Sequence, residues 1–324
     1  MVGITIGDPS GIGPEVILKS ILQLSNDQLS RILLIGSTEL FRFWANYYGF
    51  DLNFRNYQET KVKGIPVVDV GIDFGKISLE DLVSSEESSA RVSLESINKS
   101  IELLKSSVIN SVVNSPVSKE RISRIHQGFK GHTGYYAKHF DITNYNMAFY
   151  SDDFRVVLLT DHIPLMEVGR YVKKDNIKRT ILNSYNWART LDRNDNPLVG
   201  ICGLNPHAGE GGTLGNEEKE ILDAIRELGM DVIGPLPPDT AFVEYKKRKL
   251  NCLVCLYHDQ GLIGFKLLHF TDGINVTLGL PFVRCSPDHG TAFDIVGKGV
   301  ANNDSMTNAI KYALRFEPEV KRYS

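Results

Sequence analysis

Along the chain, short runs of apolar residues alternate with longer stretches in which apolar positions recur every three or four residues. The short runs predict strands at 2–7, 31–36, 109–115, 154–160, 198–204, 251–257 and 274–280. The longer stretches predict helices at 14–24, 95–107, 173–191, 216–229 and 305–316. Strands separated by helices of this length imply an α/β fold of mostly parallel sheets with crossover helices. The strands are apolar throughout rather than alternating, as expected when both faces of a sheet are covered. The serine-rich segment 83–93 runs into a helix and reads as a solvated loop and helix cap. No repeat and no Gly/Ser tether interrupts the pattern.

At 324 residues the chain exceeds the size at which one core keeps growing, so two domains are expected. With no linker between them, the chain is expected to cross from one to the other more than once. The net charge of -3 lacks the basic surplus of a nucleic-acid binder, so no nucleic-acid partner is expected. Cys202, Cys252, Cys255 and Cys285 each lie in or beside an apolar run and read as buried free thiols of a reducing compartment. The CxxC of 252–255 falls within a strand, which argues against a redox or zinc role. No signal segment and no stretch of ~18 apolar residues is seen, so the expectation is a cytoplasmic protein without a membrane partner.

Candidate chemistry follows from position. His162, His207 and His258 each fall just past the carboxyl end of an apolar strand. In open α/β sheets those ends line the ligand crevice. One such histidine alone more often caps a strand or bonds a loop carbonyl. Three at one edge favour a divalent-metal site with an open position. GHT (131–133) places His132 and Thr133 after a glycine, where a backbone N–H and a hydroxyl suit an oxyanion. Lys266 and Arg284 sit in Gly-rich, apolar surroundings and are candidates for phosphate or carboxylate contact; Asn275 lies in the same region as Arg284. GDPSGIGPE (7–15), GEGGTLG (209–215) and GKGVANN (297–303) all fail the dinucleotide and P-loop fingerprints. His126, His139 and His269 have no motif around them and read as surface or packing residues.

Taken together, GDPSGIGPE, GHT, TDHIPL, CGLNPHAGEGG, GPLPPDT, YHDQG and GINVTLGLPFVRCSPDHGTAFDIVGKG resemble the 4-hydroxythreonine-4-phosphate dehydrogenases, the PdxA family of vitamin B6 biosynthesis, from residue 4 to about residue 312. The resemblance implies a two-domain isocitrate/isopropylmalate dehydrogenase-like fold with its active site in the interdomain cleft. One domain, 1–122 plus 278–324, would carry the termini and the NAD segment. The other, 123–277, would be an inserted domain with the metal ligands and the dimer interface. His162, His207 and His258 match the family's metal ligands, for one divalent cation per site (Zn, Mg, Co or Mn). His132, Thr133, Lys266, Asn275 and Arg284 match substrate-binding positions. Asp239 matches an acidic position near the metal and is the candidate for proton transfer, with Lys266 as a second catalytic candidate. His289, Gly290, Thr291, Ala292 and Asn302 match the segment that holds the adenosine end of NAD, with NADP left open. A homodimer with its site at the subunit interface is implied. Two departures stand out: Gly134 where the family often has Glu, and Asp161 where it often has Thr.

The implied reaction is NAD-dependent oxidation of 4-(phosphooxy)-L-threonine at C3, followed by decarboxylation to 3-amino-2-oxopropyl phosphate. A sister dehydrogenase acting on threonate or erythronate 4-phosphate would use the same residues. A metal-dependent phosphoryl or acyl transferase would not need DHGTAFDIVGKG. A non-catalytic metabolite-binding protein would leave the strand-end histidines without a reason.

Overall fold

The structure is a computed structural model that describes residues 1–59, 61–72 and 77–315. The chain forms two compact units, Met1–Asp141 with Pro281–Ser324, and Ile142–Leu280. The first begins with β1 (Val2–Thr5), α1 (Gly13–Ile21), α2 (Asn26–Ser30), β2 (Ile32–Gly36), α3 (Thr38–Tyr48), β3 (Phe54–Asn56) and β4 (Ile65–Asp69). It continues with α4 (Leu79–Ser84), α5 (Glu86–Lys105), β5 (Ser111–Asn114), α6 (Lys119–Ile125) and α7 (His132–His139). The second unit holds β6 (Asn146–Tyr150), β7 (Arg155–Leu158), α8 (Val168–Tyr171), α9 (Lys174–Asp192), β8 (Val199–Cys202) and α10 (Glu217–Leu228). It ends with β9 (Val232–Leu236), α11 (Ala241–Arg248), β10 (Cys252–Cys255), α12 (His258–His269) and β11 (Ile274–Leu278). The chain then returns to the first unit as β12 (Val283–Pro287) and α13 (Asp304–Arg315).

In the first unit the strands run in the order β3-β4-β2-β1-β5-β12, every pairing parallel. In the second the order is β11-β6-β7-β10-β8-β9. There β11 and β7 pair antiparallel with β6, and the other pairings are parallel. Every residue of β1, β2, β5, β7, β8 and β10 is buried, which is why these strands read as unbroken apolar runs. All seven predicted strands form. All except β2, which runs to Gly36 as predicted, stop short of their predicted ends. β3, β4, β6, β9 and β12 were not predicted; β12 (VRCSP) holds a charge and β9 (VIGPL) a Gly-Pro, so neither reads as a buried strand.

Two expectations are corrected. The segment 83–93 is not a solvated loop: from Glu86 it is the first half of α5. Ser89 and Ser93 of this segment, with Ser96 beyond it, are small enough to be buried, and two of the three bond backbone carbonyls. Ser93 Oγ donates to Ser89 O at 2.8 Å and to Gly7 O at 2.9 Å, and Ser96 Oγ donates to Val92 O at 2.7 Å. The border expected at 122/123 also moves, because residues 123–141 belong to the first unit. Tyr136 of α7 ties them there: its hydroxyl lies 2.5 Å from Ser100 Oγ of α5 and accepts from Asn114 Nδ2 of β5 at 2.9 Å. The helix predicted at 305–316 is α13; residue 316 lies outside the described residues, as do residues 317–324 of the predicted first domain.

Candidate active site

In the second unit β7, β10 and β8 are adjacent and parallel, so their carboxyl ends share one edge. Leu158 pairs with Cys255, and Leu159 N donates to Cys255 O at 2.8 Å. Thr160 Oγ1 extends the pairing to Leu256 O at 2.7 Å. Four residues past Leu158 and three past Cys255, the rings of His162 and His258 come to 5.3 Å between centroids. His258 Nδ1 lies 2.7 Å from Asp259 Oδ1, so Nε2 is the ring nitrogen that Asp259 does not engage. Asp161 turns its carboxylate onto the backbone N–H of His162 at 2.6 Å. His207 follows β8 on the same edge. Its Nδ1 lies 2.6 Å from Glu210 Oε1, and that contact raises its pKa, with Asp239 adding a smaller push in the same direction. Asp239 is exposed in the loop after β9 and is thus close enough to act on His207.

The structure brings His162 and His258 together but does not bring His207 to them. Among the described residues no group of three or more His, Cys, Asp or Glu is placed to hold a metal ion. The loop of His207 explains the separation. From His207 to Gly211 five consecutive residues have φ between 44 and 78°, a left-handed path that only glycine takes freely. The carboxylate of Glu218, buried in α10, anchors this turn by accepting from Leu204 N at 3.0 Å and Asn205 N at 2.8 Å. A side chain at Gly209 would meet Glu218 Oε2 at 2.6 Å, so this glycine makes room for Glu218 rather than for a ligand. Gln260 ties two ends of the edge: its Oε1 accepts from Leu256 N at 2.7 Å and its Nε2 donates to Gly203 O at 2.9 Å. Lys266 lies further along α12 with its ammonium 5.9 Å from the Phe270 ring centre, and Asn275 is buried in β11.

His132, Thr133 and Arg284 meet in the first unit. Arg284 is buried in β12; its Nε donates to Asn114 Oδ1 at 2.9 Å and its NH1 group to Thr133 Oγ1 at 3.4 Å. Asn114 is fixed in turn by donating to Thr5 Oγ1 at 3.2 Å and to Tyr136 OH. Burial pulls the Arg284 guanidinium down to about 10. Burial, then the charges of Arg284 and Lys119, hold His132 well below 6.5. Its Nε2 is shut off from solvent and has no hydrogen-bond partner. A buried polar atom without a partner beside a buried cation is a place for an anion. Asn114, Tyr136 and Lys119 were missed from sequence. Asn114 and Lys119 flank the strand end SVVNSPVSK, the same signal that singled out the histidines.

The cofactor candidates follow β12. Thr291 O accepts from Ile12 N at 2.9 Å, and a side chain at Gly11 would strike that oxygen at 2.8 Å. The loop GDPSGIGPE therefore does not cradle a phosphate by itself; it is the bed on which 289–292 lies. Arg121 crosses this bed. Its NH1 group donates to Asp8 Oδ2 at 3.2 Å and to Ser10 Oγ at 2.6 Å, and its guanidinium stands 4.1 Å over the Phe293 ring. Ala292 takes a φ of 42° and turns the chain. His289 Nδ1 faces Gly290 O at 3.1 Å, and Asn302 Oδ1 accepts from Asp304 N at 2.7 Å. Of the histidines without motif, His269 is held between Asp153 at 3.0 Å and Asp272 at 3.2 Å. His139 Nδ1 lies 2.8 Å from Tyr135 O, and His126 is exposed.

Strand-end imidazoles in one unit and a buried arginine beside an unpartnered imidazole nitrogen in the other are features of an α/β metabolic enzyme. The chain belongs to the PdxA family: the family model described as "Pyridoxal phosphate biosynthetic protein PdxA" matches residues 28–313. It is 38% identical over 316 residues to a 4-hydroxythreonine-4-phosphate dehydrogenase of Hydrogenobaculum sp., covering 97% of this chain and 98% of that one. It is 34% identical over 334 residues to a protein of Oceanobacillus iheyensis named "Putative D-threonate 4-phosphate dehydrogenase", covering 98% of each. A crystal structure of 4-hydroxythreonine-4-phosphate dehydrogenase from Klebsiella pneumoniae superposes with a TM-score of 0.82 at 29% identity, covering 98% of this chain and 99% of that chain.

Proposed function

We propose that this chain oxidises 4-(phosphooxy)-L-threonine at C3 with NAD and releases 3-amino-2-oxopropyl phosphate after loss of CO2. The proton leaving the C3 hydroxyl is matched by one taken up at the α-carbon when CO2 departs, so the net products are the ketone phosphate, CO2 and NADH. The observation that carries the reading is the buried Arg284 beside the unpartnered His132 Nε2, a built site for a substrate anion. Arg284 and Thr133 would hold that anion by fork and hydroxyl, and His132 would add a neutral N–H. Lys266 and Asn275 are assigned to the same substrate. Asp239, exposed at the edge that carries the histidines, is assigned to take the hydroxyl proton.

The chemistry of the three imidazoles suits a divalent cation, with His207 standing apart from the other two in this structure. His162 and His258 stand ring to ring, and His207 is on the same strand-end edge. Carboxylates on the Nδ1 atoms of His258 and His207 keep their Nε2 atoms as ligands. When bound, the cation would supply Lewis acidity at the substrate hydroxyl. The segment 289–292 with Asn302 is assigned to NAD, and between them Val300 presents an apolar side chain left 65% exposed. We assign the functional unit as a homodimer with its site at the subunit interface. α12 starts at His258 and presents Ile263, Leu267 and Phe270, 73%, 85% and 74% exposed, on one face. Four buried free thiols suit a reducing cytoplasm.

A second reading is favoured by the Oceanobacillus iheyensis relative and by Gly134 and Asp161: oxidation of a sugar-acid 4-phosphate by the same residues. NADH formation by purified protein separates the two. We expect chelator-sensitive NADH from 4-(phosphooxy)-L-threonine and little from D-threonate or D-erythronate 4-phosphate. The reverse preference would move the chain to the sister group, and no NADH from any of them would end the dehydrogenase reading.

A further inference from the structure

We infer that Glu15 is a positioning residue for the cofactor, because its buried carboxylate pins the 297–302 turn that leads into Asn302. The inference rests on the assignment of 289–292 and 302 to NAD. Glu15 lies in the first turn of α1 with its side chain 1% exposed. Its Oε1 accepts from the backbone N–H of Ala301 at 2.8 Å and from Lys19 Nζ at 2.7 Å. Its Oε2 accepts from Tyr48 OH at 3.0 Å. Lys19, one helical turn on, donates to the carbonyls of Gly299 at 2.8 Å and Ala301 at 2.9 Å. The carbonyls on either side of Val300 are thus drawn inward to one ammonium, while the Val300 side chain stands in solvent.

This path requires the glycines of GKG. Gly297 and Gly299 have φ of 76 and 70°. The Tyr48 ring packs 3.8 Å from where a Gly299 side chain would begin. Tyr48 is itself stacked on Trp44, 5.3 Å between centroids and 15° from parallel. An acidic group that binds one backbone amide and one ammonium holding two carbonyls fixes three consecutive peptide units. Asn302 is the next residue. A carboxylate is needed: both hydrogen-bond donors at Oε1 would meet an amide NH2 in one flip state of a glutamine, and in the other the ammonium would lose its counter-charge.

The test is NADH binding to the full-length protein, followed by NADH fluorescence, beside calorimetric binding of the phosphorylated substrate. Loss of one charge-assisted interaction corresponds to about a tenfold to hundredfold change in affinity. Glu15→Gln is therefore expected to weaken NADH at least ~10-fold while substrate affinity stays within about twofold. Hydrogen exchange across 297–303 should quicken in the same variant without any ligand. Tyr48→Phe, which keeps the stacked ring and removes one hydrogen bond, should weaken NADH by about twofold to fivefold, and it carries the test if Glu15→Gln does not fold. Unchanged NADH affinity in a folded variant overturns the inference, and so does equal weakening of both ligands, which would mark a general structural role. If the wild type binds the phosphorylated substrate but no NADH, the cofactor assignment falls first and this inference with it.

Discussion

At the scale of the residue, Arg284 and His132, the groups proposed to bind the substrate anion, are held in a state that is unfavourable for the empty protein. Arg284 is charged and buried, and His132 is kept neutral by burial and by the positive charges of Arg284 and Lys119. The His132 pKa is lower in the folded chain than the 6.5 of the unfolded one, so below about pH 6.5 the unfolded state binds a proton that the native state refuses. Stability is full above that point and falls as the pH drops from 6.5 toward the depressed folded value. His132→Gln should flatten this acid limb in a series of thermal melts across pH 4.5–7; an unchanged limb would remove His132 as its source. Arg284→Met keeps the volume and removes the charge. Buried charges often give little net stability, so its melting temperature should stay near that of the wild type. Its Michaelis constant for the phosphorylated substrate should rise by about 10- to 100-fold, far more than that for NAD.

At the scale of the element, α5 shows how a polar sequence becomes a buried helix. Serines at 89, 93, 96 and 100 face inward, and three of them bond carbonyls of their own helix. Ser89 Oγ is the exception, buried with no partner. Ser89→Ala removes an unsatisfied hydroxyl and adds a better helix former, and should stabilise the protein by about 0.5–2 kcal/mol in denaturant unfolding. A loss of stability would mean that the hydroxyl is satisfied in solution. Strands were more legible than helices because burial on both faces leaves an unmistakable apolar run. α12 was not predicted although it carries His258 and Lys266: two glycines and an exposed apolar face blur its periodicity. That exposed face is the structural reason to propose a partner.

At the scale of the whole molecule, the candidate residues divide between the two units. The first holds Arg284, His132 and Thr133 with the segment proposed for NAD, and the second holds the histidine edge with Asp239, Lys266 and Asn275. Among the described residues no helix is long and apolar enough to cross a membrane. The exposed face of Ile263, Leu267 and Phe270 is the surface proposed to meet a second copy of the chain. Leu267→Glu should shift the protein from dimer to monomer in analytical ultracentrifugation and lower turnover with it. A wild type that sediments as a monomer would remove the dimer assignment outright.

The sequence by itself determined the class of fold and which residue types reach which strand ends. Both follow from local pattern: period, continuity of apolar runs, and the position of a polar residue one to three places beyond them. Only the tertiary structure decided how those residues combine. The parallel pairing of β7 with β10 sets His162 against His258, while the left-handed turn anchored by Glu218 keeps His207 with Glu210 instead. Asn114, 170 residues before Arg284, fixes the guanidinium, and Glu15 holds a turn 286 residues away. Such pairings depend on which strands become neighbours, and strand order is set by burial summed over the whole chain rather than by any local signal.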